Sequence, residues 1–536
     1  MIPDGAAEKR FKKLQGDRDF YLQEAKISSS LTIPSLFPPD INPDGSSNAP
    51  QNLPSPYQSF GAYAVESLSS KFLMATFPPS SPWFRYEISE RSLEEARTSG
   101  ASEEEITQLR GEVAKALSYR ESAIQKYFDA SNLRVVVAEA LRHLVTGGNA
   151  LLWIPTDGSG SRLFSLSRYV VRRGPMGRVM ELVIRETFDF DGLPADIRAL
   201  APYSDTDPKK YKDTEISVYT HLELDVDKKR YTKYQEVWGQ RIPGSEGSFP
   251  EDNSPYIPLR FTTVEGESYG RGYVENYRGS LNSLEVLRRS ILENSASAAR
   301  ALWLVRPNGT TKVRNLAKAA NGAFITGDVN DVACLRQDKQ ADLSVAQQAA
   351  DTLVKELEVA FLLGRSVSRP GERVTATEVR ALAMDLDNVS GAVWSTLARE
   401  CQLPIVRRIE QILEKQREIT SLPKGTVQPT VIGGLAAIGR DTDMNKLREL
   451  TADFANAASV LPEVVQYLEP SVIAEKIVLG HSVPSQGLLK TPAQVQQEQQ
   501  AAQQAAMQQQ MVQEASKAAP GLVEQAVQQG GMSETE

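Results

Sequence analysis

Two long stretches of helical periodicity bracket a short segment that has none. From 273 to 299, Leu281, Leu284, Leu287 and Ile291 recur at helical spacing. From 341 to 363, Ala350, Leu353, Val354, Leu357, Ala360 and Phe361 keep the i, i+3, i+4, i+7 pattern. Residues 301–338 between them mix the apolar run LWLV, the turn PNGTT and the glycine-bounded GAFITG. Two helices joined by so compact an insertion make a hairpin-like arm. Each carries an apolar stripe, and one partner helix cannot cover all of it. The pattern calls for neighbours that bury the remainder, as a heterologous interface closing into a ring does.

The second helix runs into GRSVSRPGERVT, Gly364–Thr375. Gly364 stands where a left-handed glycine ends a helix, and Thr375 with Glu378 forms the capping box of the next one. That next helix carries Val379, Leu382, Leu386, Val389, Val393 and Leu397, and Pro404 marks its end or a kink. The loop so delimited holds Arg365, Arg369 and Arg373, opposed only by Glu372. Two readings stay open on these residues. One is an exposed turn with solvated arginines. In the other, a symmetric ring repeats each arginine once per subunit and aims three rings of positive charge at whatever threads the hole.

The remainder predicts an α+β, mainly helical chain. Helical patterns cover 9–27, 60–77, 102–130 and 132–146, with a capping box at Ser102 and Glu105. Strand patterns follow at 150–155, in hairpins 167–173/178–187 and 216–224/230–238, and at 255–264. Further helical segments occupy 405–418 and 441–480. The stretch 491–513 holds 11 Gln and 5 Ala in 23 residues and is of low complexity.

Charge and cysteine usage narrow the class. A net charge of −8 with pI near 5.4 excludes a general nucleic-acid coat but leaves room for a local basic element. Cys334 and Cys401 stand far apart without a CxxC, which rules out a disulfide framework and points to reduced thiols. MIPDGAAEKRFKK lacks an apolar stretch behind its charges, so no signal peptide is expected. No apolar run approaches the roughly 20 residues of a membrane helix, so no membrane partner is expected.

Catalytic constellations are missing. His143, His221 and His481 lie in different segments with no partner pattern, and neither GxSxG nor HExxH occurs. GESYGRG, residues 266–272, precedes a helix but lacks the GK[ST] ending that supplies a phosphate lysine, and it reads as a flexible lead-in. DINPDGSSNAPQ, residues 40–51, places Asp40, Asn42, Asp44 and Gly45 as an EF-hand loop does, but Gln51 replaces the bidentate carboxylate. It reads as a polar loop. No enzyme, metal or cofactor is expected.

Five blocks carry a family likeness: TIPSLFPPD (32–40), LRHLVTGGNALLWIP (141–155), PYIPLRFTTVEGESYGRGYVENY (255–277), PGERVTATEVR (370–380) and CQLPIVRRI (401–409). In this order they resemble the head-to-tail connector, or portal, proteins of T-seven-like short-tailed phages. The likeness runs over nearly the whole chain and thins after about residue 480. It implies a portal fold with wing, stem, clip, tunnel loop and crown, assembled as a ring of twelve at one capsid vertex of the virion, after synthesis in the host cytoplasm. Laid on this chain, the resemblance implies a wing over 1–270, stem helices over 271–299 and 341–363, and a clip over 300–340. The tunnel loop takes 364–375, a long wing helix 376–404, a helical crown 405–490, and a Gln/Ala-rich tail 491–536.

The resemblance also implies partners. Double-stranded DNA passes through the channel without sequence readout during packaging, retention and ejection. The terminase large subunit and later the tail adaptor and tail-tube proteins dock at the clip. Major capsid and scaffolding proteins surround the ring, and internal core proteins face the crown. Arg365, Arg369 and Arg373 are the expected DNA contacts. Lys312, Arg314 and Lys318 in the clip are second candidates, facing either DNA at the exit or a partner protein. An acidic body suits a channel in which DNA must slide, because every cation held tightly on phosphate adds affinity. The alternative is a non-catalytic oligomeric scaffold without DNA contact.

Overall fold

The computed structural model describes residues 5–39, 53–79, 82–88, 94, 98, 103–157, 159–201, 215–298, 302–320, 322–335, 340–363, 393–421, 427–431 and 450–452. The chain divides into two compact units, 1–100 with 120–438, and 101–119 with 439–536. Of the second, the described residues are helical, 103–119 and 450–452.

In chain order the principal elements are α1 (Ala6–Ser30), α2 (Phe60–Thr76), β1 (Phe84–Ile88), α3 (Glu103–Ala130) and α4 (Leu133–Gly147). A β-rich stretch follows: β2 (Asn149–Trp153), β3 (Arg162–Phe164), β4 (Tyr169–Arg173), β5 (Val179–Asp189), β6 (Glu215–Asp225), β7 (Arg230–Val237), β8 (Gln240–Arg241), β9 (Gly247–Pro250) and β10 (Tyr256–Arg260). Then come α5 (Tyr273–Ala298), β11 (Leu302–Val305), α6 (Val313–Lys318), β12 (Val332–Leu335), α7 (Gln340–Ala360), α8 (Leu403–Lys415) and β13 (Val427–Val431).

The main sheet is antiparallel, in the order β4-β5-β6-β7-β8, with β9 also pairing β7. Alternation sends successive residues to opposite faces, and both faces of this sheet carry buried clusters, with the N-terminal half of α1 on one of them. Ala7, Phe11 and Leu14 pack on Val170, Val183, Tyr219 and Tyr234. On the opposite face Tyr169, Leu182 and Leu222 join a second cluster with Leu22 and Ala25 of α1, Leu166 and Tyr269. Two buried carboxylates fasten the helix. Glu236 of β7 accepts the Ala7 backbone N–H at 2.8 Å, a negative charge where the helix dipole favours one. Glu181 of β5 takes Arg10 of α1, Arg172 of β4 and the His221 ring of β6, the last at 2.9 Å. Burial opposes ionisation of Glu181, but the hydrogen bonds from Arg10 and His221 outweigh it and hold this carboxyl well below the usual range.

A second sheet, β10-β2-β3, abuts the first. Here the structure corrects the reading of GESYGRG. The stretch is pinned rather than flexible. The Tyr269 hydroxyl accepts the Val171 N–H at 2.9 Å, and the Ser268 hydroxyl accepts that of Arg173 at 3.2 Å. Asn149 brackets Gly270, donating to its carbonyl at 2.8 Å and accepting its N–H at 2.7 Å. Gly148, at φ 75°, crosses this strand so closely that a Cβ would lie 2.4 Å from the Arg271 carbonyl carbon. Gly270 and Gly272 serve a backbone crossing, which a sequence reading sees only as looseness.

Pro404 also acts differently from a simple stop. Helical residues 393–397 pass into a π-helical turn, Ala398–Gln402, and α8 begins at Leu403 with Pro404 in its first turn, where a proline costs nothing. α8 packs within the first unit. Arg408 donates to the Ile154 carbonyl at 3.1 and 2.8 Å and to the Asn253 carbonyl at 3.2 Å. Arg120 of α3 binds Glu410 and Glu414. After α8, β13 pairs antiparallel with β1, Phe84 opposite Val431. α8 itself buries Ile405, Val406, Ile409, Ile412 and Leu413.

α5 and α7 run antiparallel as the expected arm. Near their shared base Leu281, Leu284, Ala350, Leu357 and Phe361 are fully buried. Tyr273 stacks edge-on to Phe361 at 5.4 Å and donates to the Ala360 carbonyl at 2.7 Å. Farther out Arg288 faces Asp351 at 3.8 Å. α7 ends in a left-handed turn. Gly364 lies outside the described residues, and the left-handed residue is Leu362, at φ 59°. The Leu363 N–H reaches the Glu358 carbonyl at 2.7 Å and that of Leu362 reaches Val359 at 3.2 Å, the paired bonds of a Schellman turn. Burial of the leucine side chain and a hydrogen bond from Lys71 to its carbonyl hold it there. α8 ends in the same way, with Arg417 at φ 61°.

Candidate functional site

At the far end of the arm the insertion folds on its own hydrogen bonds. β11 and β12 pair antiparallel, Leu302 opposite Leu335 and Val305 opposite Val332. Asp331 organises the PNGTT turn. One carboxylate oxygen accepts the Thr310 N–H at 2.8 Å, the Thr311 N–H at 3.1 Å and both threonine hydroxyls at 3.2 Å. Hydrogen bonding by Thr311 holds this carboxyl below the ordinary aspartate range. The Thr311 hydroxyl accepts the Asp328 N–H at 3.0 Å, tying the GAFITG loop to the same turn. Gly327 must be glycine for that closure, since a Cβ would come within 2.3 Å of the Thr311 hydroxyl.

Lys312, Arg314 and Lys318 follow this turn, on or beside α6, and all three are exposed. The insertion thus gathers the three clip cations expected from the sequence into one short stretch. Arg365, Arg369 and Arg373 lie outside the described residues, as do Gln51 and the loop 40–51 with it, and His481. The other two histidines are internal. His143 is buried edge-on to Phe37 at 4.9 Å, and burial, with Arg142 close by, pushes its pKa down to about 4. His221 is held by Glu181. Burial pushes the Cys401 thiol up to about 12, so it is protonated and inert at neutral pH. Among the described residues no three His, Cys, Asp or Glu side chains gather as a metal site would require, and no helix is long and apolar enough to cross a membrane.

Sequence reasoning expected uncovered apolar surface on the arm, and the structure identifies the residues that carry it and adds those of the insertion. On the arm Val286, Leu292, Val345 and Val359 are exposed, and on the insertion so are Leu304, Phe324, Ile325 and Val329. Burial fades outward along α5, where Leu287 and Ile291 are only half-covered. The helical stripe was legible, but which of its members a single chain leaves bare depends on how far two helices stay in contact.

Comparison with known proteins covers the whole architecture. The family model described as bacteriophage head to tail connecting protein matches residues 4–489. The portal protein of Escherichia phage T7 is 37% identical over 501 residues, 93% of this chain and 90% of that protein. That of Enterobacteria phage T3 is 37% identical over 504 residues, 92% and 90% of the two chains. That of Enterobacteria phage SP6 is 25% identical over 522 residues, 97% of each. A match of this extent and order, running through the β-rich unit, the arm and its insertion, places the chain in the bacteriophage head-to-tail connecting protein family.

Proposed function

We propose that the chain is the subunit of a portal ring of twelve, through which double-stranded DNA is packed, retained and ejected. The carrying observation is the apolar surface that the arm leaves uncovered. Val286, Leu292, Val345 and Val359 remain exposed on α5 and α7, and each copy of such an arm gains by packing beside the next in a closing heterologous interface. In this reading the arm is the stem and residues 302–335 belong to the clip. The loop 364–375 lines the constriction, where Arg365, Arg369 and Arg373 touch the phosphate backbone without reading sequence. The clip receives the terminase large subunit during packaging and the tail adaptor afterwards. Capsid, scaffolding and core proteins contact the remaining surfaces, and assembly takes place in the host cytoplasm. The chain performs no catalysis of its own.

Electron microscopy and mass photometry of the purified chain test the reading. The expected result is a ring with an axial hole and a mass near twelve subunits, while a compact oligomer without a hole would overturn it. Replacing Arg365, Arg369 and Arg373 together by Ala is expected to leave rings intact and to cut the yield of full, DNA-retaining heads. Full-length genomes packed and held by the triple variant would remove these arginines from the DNA path.

A further inference from the structure

We propose that the cavity between the β4–β5 turn and the loop 263–267 binds a small phosphate monoester, its phosphate held by Arg260 and Arg399 and its organic part against Met176 and Val264. The site lies within the first unit of one chain and stands whether or not the portal reading does.

The cavity has a volume of about 470 Å³, inside the range of roughly 300–1,000 Å³ usual for ligand pockets. Arg173, Arg260 and Arg399 line it, with the turn 174–177 on one side. That turn lies against Arg260 because Gly177, at φ 75°, has no side chain: a Cβ there would stand 3.0 Å from Arg260 Nη2. The turn is tied down as well. Gly177 donates its N–H to the Gly174 carbonyl at 2.9 Å, and its own carbonyl accepts from Arg173 at 2.8 Å. The wall is therefore formed before any ligand arrives, which lowers the ordering cost of binding.

Charge selects the ligand. Glu400 accepts from Nε and Nη2 of Arg260, lies 3.7 Å from Arg173 and 3.9 Å from Arg399. Three guanidiniums thus share one carboxylate, three cations to one anion, or +2. The side chains of Arg173 and Arg260 are only 4% and 5% exposed, so water does little to settle that surplus. Among the described residues the buried Nε of Arg173 has no partner, and nothing takes Nη1 of Arg260. Glu400 is not part of the cavity wall, whereas all three arginines are. Of the two carboxylates that do line it, Glu267 is spent on Arg271 at 3.0 and 2.7 Å, and Glu265 is exposed to solvent at the rim. A phosphate monoester carries roughly −1.5 to −2 at neutral pH and matches the surplus, where a carboxylate supplies a single charge. Its oxygens also suit the planar fork of arginine. A phosphate alone fills only part of the volume. The exposed side chains of Met176 and Val264 give the rest an apolar flank.

The experiment uses the full-length chain in phosphate-free buffer. Thermal unfolding and titration calorimetry follow the binding of inorganic phosphate and of adenosine monophosphate, with sodium chloride of equal ionic strength as the reference. Wild type is expected to bind both, the monophosphate roughly tenfold more tightly because its organic part gains the apolar flank. Arg399→Glu is expected to weaken both by at least roughly tenfold, the worth of one charge-assisted hydrogen bond. Val264→Trp, at an exposed position, is expected to bring the affinity for the monophosphate down to that for phosphate. Each variant is compared with itself, with and without ligand, so a change in its basal stability cancels. Equal binding by wild type and Arg399→Glu would place the anion elsewhere and overturn the site. Stabilisation no greater than that from sodium chloride would overturn it outright. A monophosphate that binds no more tightly than phosphate would leave a site for the free anion and overturn the monoester. Displacement of bound monophosphate by a short DNA duplex would give the cavity to the nucleic-acid backbone instead. None of these outcomes turns on whether the chain forms a ring, so failure of the site and failure of the portal reading are told apart.

Discussion

Glu400→Gln is expected to destabilise the first unit by about 3–5 kcal/mol, the cost of breaking a buried charge cluster by removing one partner. Glu400 sits in the π-helical turn and faces two guanidiniums. Arg260 of β10 donates to it, with one N–O distance of 3.3 Å, and Arg173 of β4 lies 3.7 Å away. Their side chains are only 5% and 4% exposed. Burial, with the Arg260 cation beside it, pushes Arg173 down to about 10 against the pull of Glu400. Arg173 keeps the Gly177 and Pro258 carbonyls, both at 2.8 Å, but dipoles do not replace a countercharge. The glutamine matches the carboxylate in shape, so any loss reports charge. Chemical denaturation of the purified subunit measures it. Arg399→Ala is the control: that side chain is exposed, its contact to Glu400 is 3.9 Å, and a shift within about 0.5 kcal/mol is expected. A Glu400→Gln midpoint close to that of the control would mean that the arginines are satisfied without the carboxylate.

Acid is expected to weaken the same unit well above the range where carboxylates titrate, through His143. In the folded chain this ring holds a pKa of about 4, against 6.5 when exposed, because burial disfavours the cation. The unfolded chain therefore binds the proton more readily between these values, and stability falls as pH drops from 6.5 toward 4. At about 1.4 kcal/mol per unit, the full loss is on the order of 3 kcal/mol. Glu181 acts in a separate window. Its carboxyl is held below the usual range, so its contribution is present above about pH 4 and lost only in stronger acid. Thermal unfolding at pH 7, 6, 5 and 4.5 separates the two. His143→Gln should flatten the profile above pH 4.5, and an unchanged slope in that variant would trace the acid sensitivity to other groups.

Local signals carried much of this structure. The arm, its insertion, the two long hairpins and the helix under 133–147 follow from periodicity, caps and turn residues, which act over a few residues. What escaped depends on contacts distant in sequence. β1 and β13 are more than 300 residues apart, and neither has a turn to announce its partner. The glycines of GESYGRG read as looseness because the strand they cross, at Gly148, is invisible from their own neighbourhood. Leu362 takes the left-handed turn at the end of α7 because packing overrides the steric preference for glycine. At the candidate site the cations Lys312, Arg314 and Lys318 could be named from charge alone. Phe324 could not, because exposure is decided by what the rest of the chain fails to cover.

The left-handed turn at Leu362 also fixes a mechanical load path. Lys71 of α2 grips its carbonyl, Tyr273 of α5 grips the Ala360 carbonyl, and the Phe361 ring is wedged against both Tyr273 and Tyr277. Tension applied to the chain beyond residue 363 reaches these three holds before it reaches the hydrogen bonds of α7. The pull is shared sideways with the base of α5 and with α2, so the helix does not fray one turn at a time. The last turn of α7 behaves as a mooring that ties the end of the helix to the body of the subunit.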